Sequence, residues 1–324
     1  MRDWNELRGT TVTSSEITRG GSFSDPAPAR LTVGIVSAGR VGTALGAALE
    51  RVGHLVVACS AVSEASVRRA QQRLPDTQIL PAADVASRCE LLILAVPDAE
   101  LADLVHGLAA TGSLRPGTIV AHTSGANGIA VLSPLTARGA VPLAIHPAMT
   151  FTGHDEDVSR LASTCFGITA ADEVGYAIAQ SLVLEIGGEP VRVREEVRPL
   201  YHAALAHGSN HLVTLVSDAV AALRVALSGD ELFGQQVVDA APNGVAERVL
   251  APLLSAALDN ALRRGPAALT GPVARGDRTA VATHLRVLGE VDPQLAAGYR
   301  ALSLRSAQVA GADPALIEFL EDQS

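Results

Sequence analysis

The chain contains no lysine: all 25 of its basic residues are arginine. That absence excludes a Schiff-base lysine, a P-loop lysine and a lysine general acid. Aromatic residues are scarce, 3% against 48% apolar, so a core must be built from Ala, Val, Leu and Ile. The three cysteines, Cys59, Cys89 and Cys165, are far apart. They lack the paired spacings of a disulfide framework or a zinc site, and read as reduced core thiols of a cytoplasmic protein. No unbroken apolar run reaches the ~18 residues of a membrane span. Residues 1–29 lack the apolar segment of a signal peptide and read as a flexible tail. A basic block is also missing. With a net charge of −9, this argues against a nucleic-acid partner.

What is present begins at Leu31. LTVGIV is a β-rich run, followed by a small-residue turn and the helix-like VGTALGAALERVG. HLVVACS, LLILAV, TIVAHT and AVPLAIH are further strand candidates, with CFGIT and EPVRV weaker ones. SEASVRRAQQRL, DAELADLVHGLAA and ADEVGYAIAQSLVLEIGG have helical period between them. Alternation of strand and helix predicts a doubly wound parallel sheet of the Rossmann type over residues 30–195. After Val197 the β signals stop. RPLYHAALAHGSNHLVTLVSDAVAALRVAL, LFGQQVVDAA, GVAERVLAPLLSAALDNALRRG, AVATHLRVLGE, PQLAAGYRALSLRSAQVAGA and PALIEFLED all read as helices. Residues 196–324 are therefore expected to form an all-α domain.

The first turn, SAGRVG, places Ser37, Gly39 and Gly42 where a dinucleotide fingerprint has three glycines. Ala38, Arg40 and Val41 complete it. Serine in the first place is expected to need a negative φ. The end of the second strand, ACSAVS, carries no carboxylate before Glu64. Ser60, Ser63, Arg68 and Arg69 are there instead, and donors with positive charge suit a 2′-phosphate, so NADP is favoured over NAD. Ser63 is also a candidate helix cap.

Ligands of open α/β sheets lie beyond the carboxyl ends of the strands. Those ends carry Ala95, Val96, Pro97 and Asp98; His122, Thr123, Ser124 and Gly125; and His146 and Pro147. Asp98 reads better as a helix cap than as a catalyst, and His122 as a satisfied strand histidine. His146 and Ser124 are the stronger candidates. On the helix from Arg198, Leu205, Leu212, Val216 and Ala219 form a core side. The opposite side carries His202, Asn210, Thr214 and Ser217 with hardly a charge, which points to a ligand cleft or a subunit contact. His207 and His211 have i,i+4 spacing but no third ligand in view, so no metal is expected. Asp277 is placed to cap the next helix, and Arg275 stands just before it as a candidate carboxylate clamp. Asn260 could face the same cleft.

SAGRVG, AVPDAEL, HTSGA, HPAMTF, YHAALAHGSN and LTGPVARGD occur in that order over nearly the whole chain after residue 30. Together they resemble bacterial Rossmann-like proteins with a C-terminal helical domain of unknown function. That family is related to pyrroline-5-carboxylate reductases and to 6-phosphogluconate and β-hydroxyacid dehydrogenases, and some members resemble an alternative type of ketopantoate reductase. The resemblance implies an NADPH-dependent reductase of a small 2-oxo acid, ketopantoate first, acting in pantothenate synthesis and paired as a homodimer through its helical domain. In that reading His202 or His146 donates the proton, helped by Ser209 or Asn210. Ser124 and Asn210 polarise the carbonyl, and Arg275, with Asn260, holds the substrate. Reduction of a cyclic imine and an NADP-binding sensor without turnover stay open beside it. The chain departs from the related dehydrogenases by having no lysine acid, and from the fingerprint at Ser37.

Overall fold

The computed structural model describes residues 30–227 and 244–322. The expected tail (1–29) and the expected helix LFGQQVVDAA lie outside them. Two compact units meet inside one long helix, the first ending at His202 and the second beginning at Ala203.

The first unit is built on β1 (Thr32–Val36), β2 (Leu55–Cys59), β3 (Gln78–Ile79), β4 (Leu91–Leu94), β5 (Ile119–His122), β6 (Val141–Pro147), β7 (Cys165–Ala170) and β8 (Glu189–Arg192). They form one sheet in the order β3-β2-β1-β4-β5-β6-β7-β8. Its helices are α1 (Arg40–Arg51), α2 (Glu64–Arg73), α3 (Ala82–Ala86), α4 (Asp98–Thr111), α5 (Ser133–Thr136), α6 (Glu156–Leu161) and α7 (Glu173–Glu185). β4, the run LLIL, is buried on both faces, as its unbroken apolar sequence requires. One core layer joins Leu45 and Leu49 of α1, Leu161 of α6 and Leu182 of α7 to the sheet. The layer on the other face holds Val85, Leu101, Val105, Leu132 and Leu135. Helices on both faces make the sheet doubly wound.

The sheet departs from the expected all-parallel pattern at one place. β7 runs antiparallel to β6, pairing His146 with Gly167 and Ala144 with Thr169. The chain returns through the short α6 instead of a full crossover helix, and an antiparallel neighbour needs no crossover. β3, with only two residues, and the short α3, α5 and α6 carry too little periodicity to be read from sequence.

The order of the strands reverses at β1 and β4, with β2 on one side and β5 on the other. The loops after β1 and β4 therefore open a crevice at the switch point. Glycine is required at the turn after β1. A Cβ on Gly42 would run into the Ser37 carbonyl oxygen and come within 2.9 Å of Ile35 Cγ2, so α1 could not pack against β1.

The second unit contains most of α8 (Arg198–Leu227), with α9 (Val245–Arg264), α10 (Arg278–Val291), α11 (Pro293–Ala310) and α12 (Pro314–Glu321). Its core is small: Val281, Leu285, Ala307, Leu316 and Leu320. Asp277 caps α10, accepting from Ala280 N at 3.0 Å. On the expected core side of α8, Leu205, Val216 and Ala219 are half-buried and Leu212 is 39% exposed; Val213, Leu215, Leu253 and Leu262 on α8 and α9 are exposed as well. The stretch Glu195–Leu227 is, among the described residues, one helix long and apolar enough to cross a membrane, with mean hydropathy 1.3.

Gly42→Ala is expected to lower stability by about 1–3 kcal/mol, the usual cost of overpacking. Ser37→Gly should stay within about 1 kcal/mol of the parent, since strain relief and lost chain stiffness oppose each other. Urea unfolding of the two variants beside the parent checks both.

Candidate active site

The turn after β1 is shaped for an anion. Gly39 occupies the cap of α1, and no side chain bonds the first-turn amides. An uncapped helix N-terminus presents its N–H groups and positive dipole end to a ligand. A Cβ on Gly39 would meet nothing nearer than Ser37 Oγ at 3.6 Å, so the space over this residue is open. Ser37 corrects an expectation. Its φ is +74°, not negative. The turn needs the left-handed region whether or not glycine is present, and for serine this costs about 1–2 kcal/mol. Hydrogen bonds hold it there: Ser37 N donates to Ser60 Oγ at 3.0 Å, and Ala38 N to Ser60 O at 2.7 Å. Ser60 thereby ties the end of β2 to the turn.

Ser63 caps α2, accepting from Ser66 N at 3.2 Å. Arg68 points along the helix surface to Glu64, at 3.4 Å, with both side chains mostly exposed. The arginine that reaches the turn is Arg69, whose guanidinium donates to Ala38 O at 3.4 Å. Arg40 lies at the start of α1 and bonds Phe151 O at 3.5 Å. After β4, Ala95 and Val96 line the loop, Pro97 takes the cap position of α4 and Asp98 is its first helical residue. Asp98 therefore does not cap; its carboxylate sits in the first turn, where the dipole favours it.

The second half of the site gathers around a residue that the sequence does not advertise. Arg198 opens α8 and is fully buried. Its Nε donates to Thr169 Oγ1 at 2.8 Å, one terminal nitrogen to Ser124 O at 2.9 Å, and the other to Gly167 O at 2.8 Å and Ala144 O at 3.2 Å. One guanidinium thus stitches the loop after β5 to β6, β7 and α8. Burial lowers its pKa, while Tyr201, Glu195 and Asp98 act to raise it. No carboxylate of the described residues is ion-paired with it. Three residues earlier, the Glu195 carboxylate accepts from Ile129 N at 2.7 Å and Ala130 N at 3.0 Å. Gly128 must be glycine because that carboxylate occupies the position of a Cβ.

His122 is wholly buried. Its Nε2 donates to Gly128 O at 2.9 Å while Nδ1 accepts from Ser124 N at 3.2 Å. Both ring nitrogens are used, and burial lowers its pKa to about 4. Ser124 Oγ accepts from Asn127 N at 3.0 Å and from Asn127 Nδ2 at 2.9 Å, closing the turn. His146, near the end of β6, has Nδ1 at 3.0 Å from the Tyr201 hydroxyl. Its pKa is also lowered to about 4, by burial first and then by Arg198. His202 lies beside it, with ring centroids 6.3 Å apart. Gly125 makes room for both: a Cβ there would come within 2.7 Å of His202 Cδ2 and 3.0 Å of His146 Nε2.

His122, Ser124, His146, Tyr201 and His202 are therefore one cluster around Arg198. Tyr201 and Arg198 escaped the sequence reading. The only available signal was their position, one turn apart, on the helix already singled out. Ser209 and Asn210 lie further along α8, Ser209 half-buried and Asn210 exposed. Asn260 is half-buried on α9, and Arg275 is exposed before α10. His207 and His211 bond each other, Nδ1 to Nδ1, at 2.8 Å. Among the described residues no group of three or more metal-ligating side chains occurs. An open groove of about 750 Å³ lies elsewhere, at the start of β6, between Pro142, Asp172, Tyr176 and Glu195.

Two consequences can be measured. Arg198→Met should destabilise by several kcal/mol in urea titration, since each orphaned buried carbonyl costs about 1–3 kcal/mol. Arg198→Lys should rescue little, because an ammonium cannot span the same acceptors. The pH dependence has a definite sign. Folded His122 and His146 titrate near 4, against 6.5 for an ordinary histidine. Below about pH 6.5 the unfolded chain takes up two protons that the folded chain refuses, so their stabilisation is complete above that pH and is lost as pH falls toward 4. Urea midpoints should therefore fall on going from about pH 7 to about pH 5, and less so in His122→Asn.

Comparison with known proteins agrees with this architecture. A family model of a Rossmann-like domain matches residues 17–147, and one of a domain of unknown function, DUF2520, matches residues 164–306. No functionally curated protein matches the sequence. Among solved structures, a provisionally assigned NADP oxidoreductase from Bacteroides fragilis is similar at TM-score 0.68 and 21% identity, covering 86% of this chain and 98% of that one. A reductive aminase from Aspergillus terreus, in complex with NADPH and ethyl-5-oxohexanoate, has TM-score 0.62 and 17% identity, over 90% of this chain and 100% of its own. The pyrroline carboxylate reductase of Plasmodium falciparum, with NADP bound, has TM-score 0.52 and 10% identity, over 86% and 98%. At these identities the likeness is one of fold. With one match on each side of the β6–β7 connection, the chain joins a Rossmann-like domain to a DUF2520 domain.

Proposed function

We propose that this protein is an NADPH-dependent reductase of a small carbonyl compound carrying negative charge, a 2-oxo acid such as ketopantoate. The observation that carries the reading is the buried Arg198 without an ion-paired carboxylate, beside neutral His146, Tyr201 and Ser124. Positive potential at a site of neutral donors favours an anionic substrate and the negative charge that develops on a carbonyl oxygen. It disfavours the binding of a cationic iminium. The turn Ser37–Gly42, with Ser60, Ser63, Arg69 and the loop Ala95–Pro97, fits a dinucleotide. The absence of a carboxylate at the end of β2 supports NADP, as do the NADP- and NADPH-bound neighbours. When bound, the reduced nicotinamide supplies a hydride to the carbonyl carbon. The chain's residues orient the substrate and supply the proton. His146 is the favoured donor, with His202 beside it. Ser209, Asn210, Asn260 and Arg275 are the proposed substrate contacts of the helical domain.

A second reading, reduction of a C=N bond, has one specific observation in its favour: reductive aminases, imine reductases and a pyrroline carboxylate reductase share the fold. We also propose that the exposed apolar residues of α8 and α9 are covered by a second copy of this chain.

Oxidation of NADPH, followed by nicotinamide absorbance with ~1 mM of each candidate substrate, a concentration at the upper end of ordinary KM values, separates the readings. Turnover of 2-oxo acids and none of cyclic imines is expected; the reverse result would replace the carbonyl reading with the imine one. His202→Ala should lower kcat more than it weakens NADPH binding. Light scattering should report twice the chain mass, and Leu253→Glu with Leu262→Glu should return it to the monomer or to aggregate.

A further inference from the structure

The cluster holds a tyrosine in a setting that burial and packing do not require. Tyr201 stands one turn after Arg198, and its hydroxyl reaches across to β6 and β7. Gly167 must lack a side chain, since a Cβ would come within 2.6 Å of the hydroxyl. Among the described residues the hydroxyl's hydrogen-bond partner is His146 Nδ1, at 3.0 Å, and a half-buried phenol with that one partner gives its proton to it. That assignment fixes the imidazole: Nδ1 accepts, so Nε2 carries the proton. Nε2 is the ring atom facing Gly125 and the loop beyond β5, at the strand ends where ligands of such sheets bind.

We propose that Tyr201 and His146 form a proton relay, in which the imidazole passes a proton to the substrate oxygen without ever becoming a cation. The inference rests on the carbonyl-reductase reading above. In the step, the carbonyl carbon gains the hydride that the reduced nicotinamide supplies. The carbonyl oxygen takes the proton from His146 Nε2, whose N–H bond breaks. Nδ1 takes the proton from Tyr201, whose O–H bond breaks. The products are the alcohol, the oxidised nicotinamide, a neutral His146 of the opposite tautomer, and a tyrosinate. The tyrosinate is stabilised by the Arg198 guanidinium, whose Cζ is 5.9 Å from the ring centre. Solvent then returns one proton and restores the starting tautomer.

The alternative, an imidazolium acid, is disfavoured by the Arg198 cation and favoured by the Asp98 carboxylate. Burial adds to the opposition and holds the pKa near 4. Burial also pushes the Tyr201 hydroxyl up, while Arg198 draws it down. A neutral relay delivers its proton at neutral pH, where a histidine acid so placed would be empty. This is one way for a chain without lysine to protonate an alkoxide.

The test uses the full-length protein and two readouts. Tyr201→Phe should lower kcat by at least about 100-fold, within the range of a lost acid, with the NADPH dissociation constant changed less than about threefold. Independently of turnover, nitrogen NMR of the histidine rings should show His146 protonated on Nε2 and neutral down to about pH 5, with that tautomer preference lost in Tyr201→Phe. A proton on Nδ1, a charged ring at about pH 6, or a Tyr201→Phe enzyme as fast as the parent would overturn the relay. A parent enzyme that reduces no carbonyl substrate would overturn the preceding reading instead, and the relay would then stand or fall on the NMR result. Should Tyr201→Phe fail to fold, the parent NMR spectrum decides alone.

Discussion

The guanidinium of Arg198 is the contact on which the site depends. A buried cation is costly unless its donors are all used, and here carbonyls of the β5 loop, β6 and β7, with one threonine hydroxyl, use them. Carbonyl dipoles replace the carboxylate that a buried arginine normally finds. The result is a positively charged point at the carboxyl end of β5 and β6, fixed by backbone that cannot move away. It joins three strands that would otherwise be held there only by their ladders. It also fixes the first turn of α8, so that Tyr201 and His202 lie beside His146.

Glu195 does the complementary work from the same segment. Its carboxylate holds the amides of Ile129 and Ala130, so the loop following β5 is gripped at both ends, by an anion near residue 129 and by a cation near residue 124. His122 and Asn127 fill the interior of that loop with satisfied hydrogen bonds. Small residues follow from the same geometry. Gly125, Gly128 and Gly167 each stand where a histidine, a carboxylate or a phenol comes too close for a Cβ. Ser37 shows the reverse case: a side chain is tolerated in a left-handed turn because Ser60 and the first strand hold the backbone in place.

Much of the fold was legible. LLILAV reads as a strand buried on both faces because it is apolar without alternation, and the long helices of both units read from their period. The antiparallel β7 was not, since CFGIT is the same short apolar run in either direction. The core side assigned to α8 is only partly covered. Periodicity identifies an apolar face without naming what covers it, and among the described residues Leu212 stays 39% exposed. In the site, His146 and the SAGRVG turn were visible because loops at strand ends are where such chemistry collects. Arg198 was not, because an arginine opening a helix is ordinarily solvated.

The sequence alone determined the order of the longer strands and helices, the position of the small-residue turn after β1, and the exclusion of every lysine mechanism. These depend on neighbours within a few residues or on the presence of a residue type anywhere. Tertiary structure decided the rest. The bond between Arg198 and Ser124 spans 74 residues, and that between His146 and Tyr201 spans 55. Charge state, tautomer and proton path are set by groups brought together through space, and no local pattern records them.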